Sequence, residues 1–315
     1  MTCFSDFSSF KQEINLSQYA ASIGYKIDKK KSTRNSIAMR LDGSDKVIIS
    51  KRNGIWIYFS VYDDQDNGTI LDFIKNRTNK HLFEIAKELR GWLGGKSSLE
   101  IEGNYIEHLE EKKFEPERIE RLFNYYTLAA EHEYLISRGI SQDVIVSQRF
   151  YGRIFQDRYG NAVFPHFKDG QVCGLELRGK NTGLFVRGSE KTLWRSNAQN
   201  ADDTIVISET PIDALSYQIL HSLKTAFYTA TCGGFSPEQG NIISQLFTDL
   251  QQLRKVILAT DNDQGGDRLA TRLVALLSEV DFRGEVIRHS PNKPGQDWND
   301  VLVDNLDSTP VCNFS

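Results

Sequence analysis

The chain has 315 residues, 39% hydrophobic, 25% charged and 11% aromatic, which is enough apolar material for a sizeable core in two or three domains. A formal net charge of −4 excludes a wholesale basic coat for nucleic acid and leaves room only for a local basic face. Cys3, Cys173, Cys232 and Cys312 lie far apart, which excludes a CxxC knuckle and a disulfide framework; with no apolar run of about 18 residues and no basic-then-apolar leader, a cytoplasmic protein with reduced thiols and no membrane partner is expected.

In chain order, residues 1–95 read as one small unit. Leu16, Tyr19, Ala20 and Ile23 share a face of a short helix that Gly24 stops. A strongly basic stretch follows, with Lys29, Lys30, Lys31, Arg34 and Arg40. KVIIS and GIWIYFSVY read as strands of a hairpin around Lys51-Arg52-Asn53-Gly54, since Asn-Gly favours the required turn. TILDFIKNRTN and HLFEIAKELRGWL read as helices, the second closed by Gly94-Gly95. Residues 96–125 are polar and highly charged, a linker candidate. From 126 to 202 two short helices separated by Gly139 precede the strands NAVFPHF, QVCGLELR and GLFVRG.

Residues 203–315 alternate strand and helix. TIVISE, TAFYTAT, KVILATD and GEVIRHS are strands, with helices between them. Strands apolar on both faces, alternating with helices, predict a mainly parallel sheet covered on both sides, an α/β fold. Functional groups of such sheets collect at the carboxyl ends of the strands. Glu209 ends one strand, Asp261 ends another, and Asp263 follows two residues on. Asp213 lies one helical turn beyond Glu209 and can face the same way. An isolated Asp-x-Asp at a turn is ordinarily a helix N-cap. Acids converging from several strands are instead tolerated together when a hard divalent cation neutralises them.

VISETPIDALS followed by LATDNDQGGDRLA resembles the Toprim domain of DnaG-type primases, type IA topoisomerases and OLD-type nucleases. The resemblance implies catalytic, metal-holding roles for Glu209, Asp261 and Asp263, with Asp213 matching the acid that primases carry four residues after the Glu. The family's Gly-x-Asp-Pro-Asp element falls on Gly295 to Asp300: Asp297 matches the first acid, and Asn299 replaces the second. Gly233 and Gly234 stand where Toprim domains place a glycine turn, suited to backbone contact with phosphate. Residues 134–194 resemble the domain preceding Toprim in bacterial primases, matching at Phe164, Pro165, Gly174 and Arg178. The family's nucleotide-binding Lys-Tyr pair falls on Leu184-Phe185, so Arg178, Arg187 and Lys191 are the basic candidates.

The N-terminal unit resembles the primase zinc ribbon without its Cys and His ligands, a zinc-less version. Its lysines and Arg34 supply charge for DNA, and Trp56, Tyr58 and Phe59 are candidate stacking surface, although alternation on one strand places some of them in the core. The chain is most similar to stand-alone Toprim proteins of mobile elements. That similarity implies Mg²⁺ or Mn²⁺ and no zinc. The implied partners are single-stranded DNA, nucleotides, and a helicase or another mobile-element protein. Primer synthesis is the first reading; a Toprim nuclease acting in phage defence and a non-catalytic DNA-binding module are the alternatives.

Other signals are weaker. Gly174 to Lys180 spells G-x4-G-K, but Asn181 replaces the P-loop Ser or Thr, and the stretch reads as strand. None of the six histidines has metal-ligand spacing. His166 and His289 are the outsiders. Tyr228, inside a strand, reads as core rather than as a nucleophile.

Overall fold

Asn53 and Gly54 reverse the chain with φ of 49° and 77°, the left-handed pair that a two-residue hairpin turn requires. Around this hairpin the N-terminal unit is built. The computed structural model describes residues 4–63, 66–78, 80–93, 113–233 and 235–308. The chain divides into two units, Met1–Lys113 and Phe114–Ser315.

The first unit runs α1 (Phe4–Glu13), α2 (Leu16–Ser22), β1 (Lys26–Ile27), β2 (Ser36–Leu41), β3 (Asp45–Arg52), β4 (Ile55–Ser60), β5 (Asn67–Gly68), α3 (Ile70–Arg77) and α4 (Leu82–Leu93). Its strands form an antiparallel meander in the order β1-β2-β3-β4-β5. Asn15 caps α2 by accepting the Ser17 N–H at 3.0 Å. Met39, Val47, Ile49 and Tyr58 from the sheet pack with Leu16, Phe73, Ile85 and Leu89 from the helices. The expected strand pair is thus part of a larger sheet, and no distinct zinc ribbon is delineated among the described residues. Its hydrophilic stitch is Arg77, whose Nη2 lies 2.6 Å from carboxylate oxygens of both Asp45 and Asp66. The guanidinium carbon sits 4.1 Å from the centroid of the Phe73 ring. Trp56 and Tyr58 are buried, whereas Phe59 keeps 47% of its surface exposed. Of the three aromatic candidates on β4, only Phe59 is therefore available for stacking. Gly94 and Gly95, expected to close α4, lie outside the described residues.

The second unit begins with α5 (Pro116–Phe123), β6 (Thr127–Leu128), α6 (Glu133–Ser137), α7 (Gln142–Ile145), β7 (Phe155–Gln156), β8 (Ala162–Lys168), β9 (Gln171–Gly179) and β10 (Thr182–Phe185). These strands pair antiparallel in the order β10-β9-β8-β7-β6. Residues 116–123, within the stretch read as a charged linker, form α5, whose Ile119 packs on Val163 and Leu175.

Next come β11 (Trp194–Arg195), β12 (Thr204–Ser208), α8 (Pro211–His221), β13 (Ala226–Ala230), α9 (Pro237–Asp249), β14 (Lys255–Ala259), α10 (Gln264–Glu279), β15 (Glu285–Arg288) and α11 (Trp298–Asp307). The sheet order is β11-β13-β12-β14-β15, parallel except for β11. The period-two alternation of β12 feeds two cores. Val206 faces Ile212, Leu215, Trp298 and Leu302 of α8 and α11. Ile205 and Ile207 face Ile243, Leu246, Leu269 and Leu273 of α9 and α10. Both faces are covered, which is why the strands read as continuous apolar runs. Trp194 stacks on Phe150 and meets Phe164 edge-on, so the antiparallel sheet shares this core. No helix among the described residues is long and apolar enough to cross a membrane.

Candidate active site at the carboxyl edge of the parallel sheet

The in-register parallel pairs Ser208–Ala230 and Ser208–Ala259 bring three strand ends level. The residues that follow them, Glu209, Thr231 to Gly233 and Asp261, therefore line one edge. Glu209 is half-buried and tied into this edge at both ends. Its carbonyl accepts the N–H groups of Cys232 at 2.8 Å and Gly233 at 3.3 Å. Its Oε1 accepts the Asp261 N–H at 3.2 Å. Asp213 is buried on the first turn of α8, where Thr210 caps the helix and donates its hydroxyl to Asp213 Oδ2 at 2.6 Å. Asp263 is exposed and caps α10, accepting the Gly266 N–H at 2.8 Å. Gly266 is required by proximity: a Cβ there would lie 2.1 Å from the Asp261 carbonyl oxygen.

Asn262, between the two acids, stitches this turn to the loop carrying Asp297. Its side chain donates to the Pro291 carbonyl at 2.8 Å, its N–H to the Gln296 carbonyl at 3.1 Å, and its carbonyl accepts the Gly295 N–H at 2.7 Å. Asp297 caps α11 in a reciprocal box with Asp300. Asn299 is buried and donates to the Arg138 carbonyl and the Ser216 hydroxyl. It serves packing at the position where a second acid is expected.

The five carboxylates act on one another. Burial pushes Asp261 up, and Asp213, Glu209, Asp297 and Asp263 push it further. Burial likewise raises Asp213, with Asp297 and Glu209 adding to it. Burial also raises Glu209, opposed by its bond from the Asp261 backbone. One Asp261 oxygen, Oδ1, is buried with no hydrogen-bond partner. An orphaned acceptor inside a repelling carboxylate cluster fits a hard, oxygen-seeking divalent cation.

The predicted basic residues divide. Arg178, on β9, binds Glu176 Oε1 through Nε at 2.8 Å and Nη2 at 2.6 Å, so its guanidinium is already engaged. Arg187 is exposed in the turn after β10. Lys191 is half-buried with its Nζ over the Phe185 ring, close to Gly233. Gly233 has a φ of 87°, and Gly234 lies outside the described residues. Lys29, Lys30, Lys31 and Arg34 are exposed between β1 and β2 of the first unit. Tyr228 is core, its hydroxyl donating to Gln218. Gly174 to Lys180 is mostly β9, a ladder rather than a phosphate loop. His289 pairs with the Tyr217 hydroxyl at 2.7 Å, away from the acids' hydrogen bonds.

Residues 206–302 match a Toprim-like family model. Residues 133–201 match a second model, described as a protein of unknown function (DUF3991). Among curated proteins, none matches the chain. Among solved structures, the Aquifex aeolicus primase (zinc-binding and RNA polymerase domains) is 16% identical, with 95% of this chain and 82% of that one covered and a TM-score of 0.39. The primase fragment of the bacteriophage T7 primase-helicase is 19% identical over 56% and 71%, at 0.41. A DNA primase domain from Pseudomonas aeruginosa is 15% identical over 59% and 63%, at 0.34. The Toprim-like segment contains Glu209, Asp213, Asp261, Asp263 and Asp297.

A second cluster escaped sequence reading. His166, Glu176 and Cys232 are all buried, and one donor atom from each lies within 4.8 Å of the other two. Among the described residues this is the one such group of three. Its members come from β8, β9 and the loop after β13, so no local spacing announces it.

Proposed function

We propose that the protein performs Mg²⁺- or Mn²⁺-dependent phosphoryl transfer on nucleic acid, in the first place primase-like nucleotidyl transfer on single-stranded DNA. The observation that carries this reading is the convergence of five carboxylates at one parallel-sheet edge, three of them, Glu209, Asp213 and Asp261, raised by burial and by their neighbours, with an unpartnered oxygen of Asp261 among them. Glu209, Asp261 and Asp263 would hold the metal, assisted by Asp213 and Asp297. The bound metal supplies charge stabilisation for the transferred phosphate. The chain's own groups do the rest. Glu209 anchors the edge rigidly through three hydrogen bonds. Lys191 and Arg187 meet phosphate oxygens, with the Gly233 turn allowing close backbone approach. Arg178, held by Glu176 through Nε and Nη2, would present its remaining guanidinium N–H groups to phosphate. In this reading residues 203–315 are the Toprim domain, 126–202 together with α5 a primase-like core, the charged residues from 96 up to α5 a linker and 1–95 a ribbon-derived DNA-binding element, whose Lys29 to Arg34 turn contacts the strand.

The test is a paired assay on single-stranded DNA with Mg²⁺ or Mn²⁺, with and without labelled nucleotides, beside Glu209→Gln. Nucleotide-dependent product growth that is lost in the variant supports the reading. DNA shortening without nucleotides, also lost in the variant, replaces it with a nuclease. DNA binding without either product leaves a binding module.

A further inference from the structure

We infer that His166, Glu176 and Cys232 form a second metal site, for a borderline-soft divalent ion of the Zn²⁺ class, distinct from the acidic edge. The donors are one imidazole, one carboxylate and one thiol, a set that favours zinc-like ions over Mg²⁺. Bonds of about 2.0–2.3 Å in a tetrahedron hold ligand atoms roughly 3.3–3.8 Å apart, which fits inside the observed limit of 4.8 Å. His166 Nε2 is buried and makes no hydrogen bond, and Glu176 Oε2, also buried, is met by nothing but the neighbouring Cys232 thiol. Folded proteins rarely leave such atoms unsatisfied without an ion or water to meet them.

The surroundings orient the donors as metal ligands are oriented. His166 Nδ1 faces the Thr192 hydroxyl at 3.4 Å, leaving Nε2 as the ring's other nitrogen. Arg178 takes Glu176 Oε1, leaving Oε2. Partners of this kind fix ligand direction in metal centres. The backbone of Cys232 adopts a φ of 57°, a left-handed conformation that a non-glycine residue holds only when its surroundings impose it. Binding forms a metal–sulfur bond and releases the Cys232 thiol proton to solvent.

The consequence is positional. His166 and Glu176 belong to the antiparallel sheet, and Cys232 to the loop after β13. An ion joining them staples the two sheets. It also fixes the turn whose Cys232 and Gly233 N–H groups clamp the Glu209 carbonyl. The inference does not depend on the proposed reaction.

Chelator-stripped, reduced full-length protein is titrated with Co²⁺ alone and followed by absorption. One equivalent should produce a near-ultraviolet sulfur-to-cobalt band that Zn²⁺ then abolishes. The band should persist in Cys173→Ser and Glu209→Gln and vanish in Cys232→Ser. Absence of the band in the wild type, as a water-filled site would give, overturns the inference. So does a band unchanged in Cys232→Ser. If circular dichroism shows that Cys232→Ser is unfolded, Glu176→Gln decides: Co²⁺ affinity must fall by about tenfold or more, and an unchanged affinity overturns the site.

Discussion

Replacing Asp261 by Asn should stabilise the metal-free protein while abolishing its response to metal. Burial first, then four neighbouring carboxylates, hold the Asp261 pKa above its ordinary value. In the unfolded chain it titrates near about 3.9. Between that value and the raised folded value, the folded protein keeps a proton that the unfolded chain has released. Stability therefore falls as pH rises through this window, by about 1.4 kcal/mol per pH unit for one group, and the contribution is complete only below the unfolded value. Asp213 shifts in the same direction and steepens the fall. Asn keeps the shape and removes the titration, and with it the cost of holding that proton. Discounted for solvent at this partly open edge, the relief at pH 8 is about 2 kcal/mol, which for a unit of this size raises Tm by roughly 4–8 °C. Melts in EDTA across pH 5–8 read both the slope and the offset. In the wild type, Mn²⁺ at about a hundredfold over its Kd adds about 2.7 kcal/mol, and in Asp261→Asn it should add little. A variant no more stable than wild type at pH 8 in EDTA, or one stabilised equally by Mn²⁺, would refute the electrostatic account of this edge.

Three further outcomes follow from the same geometry. Arg77→Met removes the cation between Asp45 and Asp66 and leaves two half-buried carboxylates facing each other; a loss of about 2–4 kcal/mol is expected in urea unfolding followed by Trp56 and Trp92 fluorescence, and a loss under 1 would show that the network is only decorative. Gly266→Ala pushes a methyl group into the Asp261 carbonyl, so Mn²⁺ affinity should fall at least about tenfold while the far-ultraviolet spectrum is kept. Joint replacement of Lys29, Lys30, Lys31 and Arg34 by Ala should lower single-stranded DNA affinity and reduce the salt slope of log K by up to about 3. An unchanged slope would remove that turn from the nucleic-acid surface.

The parallel sheet was legible because β12, β13 and β14 are apolar on both faces, and a charged residue at the end of such a run has nowhere to go but the edge. Glu209 and Asp261 stand out for that reason. Helix α11 was hidden by its own start: Asp297 and Asn299 read as an acidic motif, while the buried Trp298 and Leu302 that make the helix amphipathic went uncounted. Strand β2 was masked by the lysines before it, although Ile37, Ala38 and Met39 are all buried. The Arg77 network brings together residues at 45, 66 and 77, and the His166 cluster residues at 166, 176 and 232. Neither has a spacing that a linear reading detects, since tertiary packing of strands, helix and loop creates them. Register pairs Phe164 with Glu176 and His166 with Gly174, which puts His166 and Glu176 on the same face of adjacent strands.

Strand β12 is the middle of five, paired along both edges and covered on both faces. Its amides can exchange with solvent only when the whole unit opens, so they should be among the slowest to take up deuterium. Asp263 and Asp297, by contrast, are supplied by turns at helix starts and can loosen locally without disturbing that strand. The acidic edge is thus graded in persistence: one carboxylate directly after the central strand and two on turns at helix starts. An incoming divalent cation would find its central ligand already set and would need to order only the periphery.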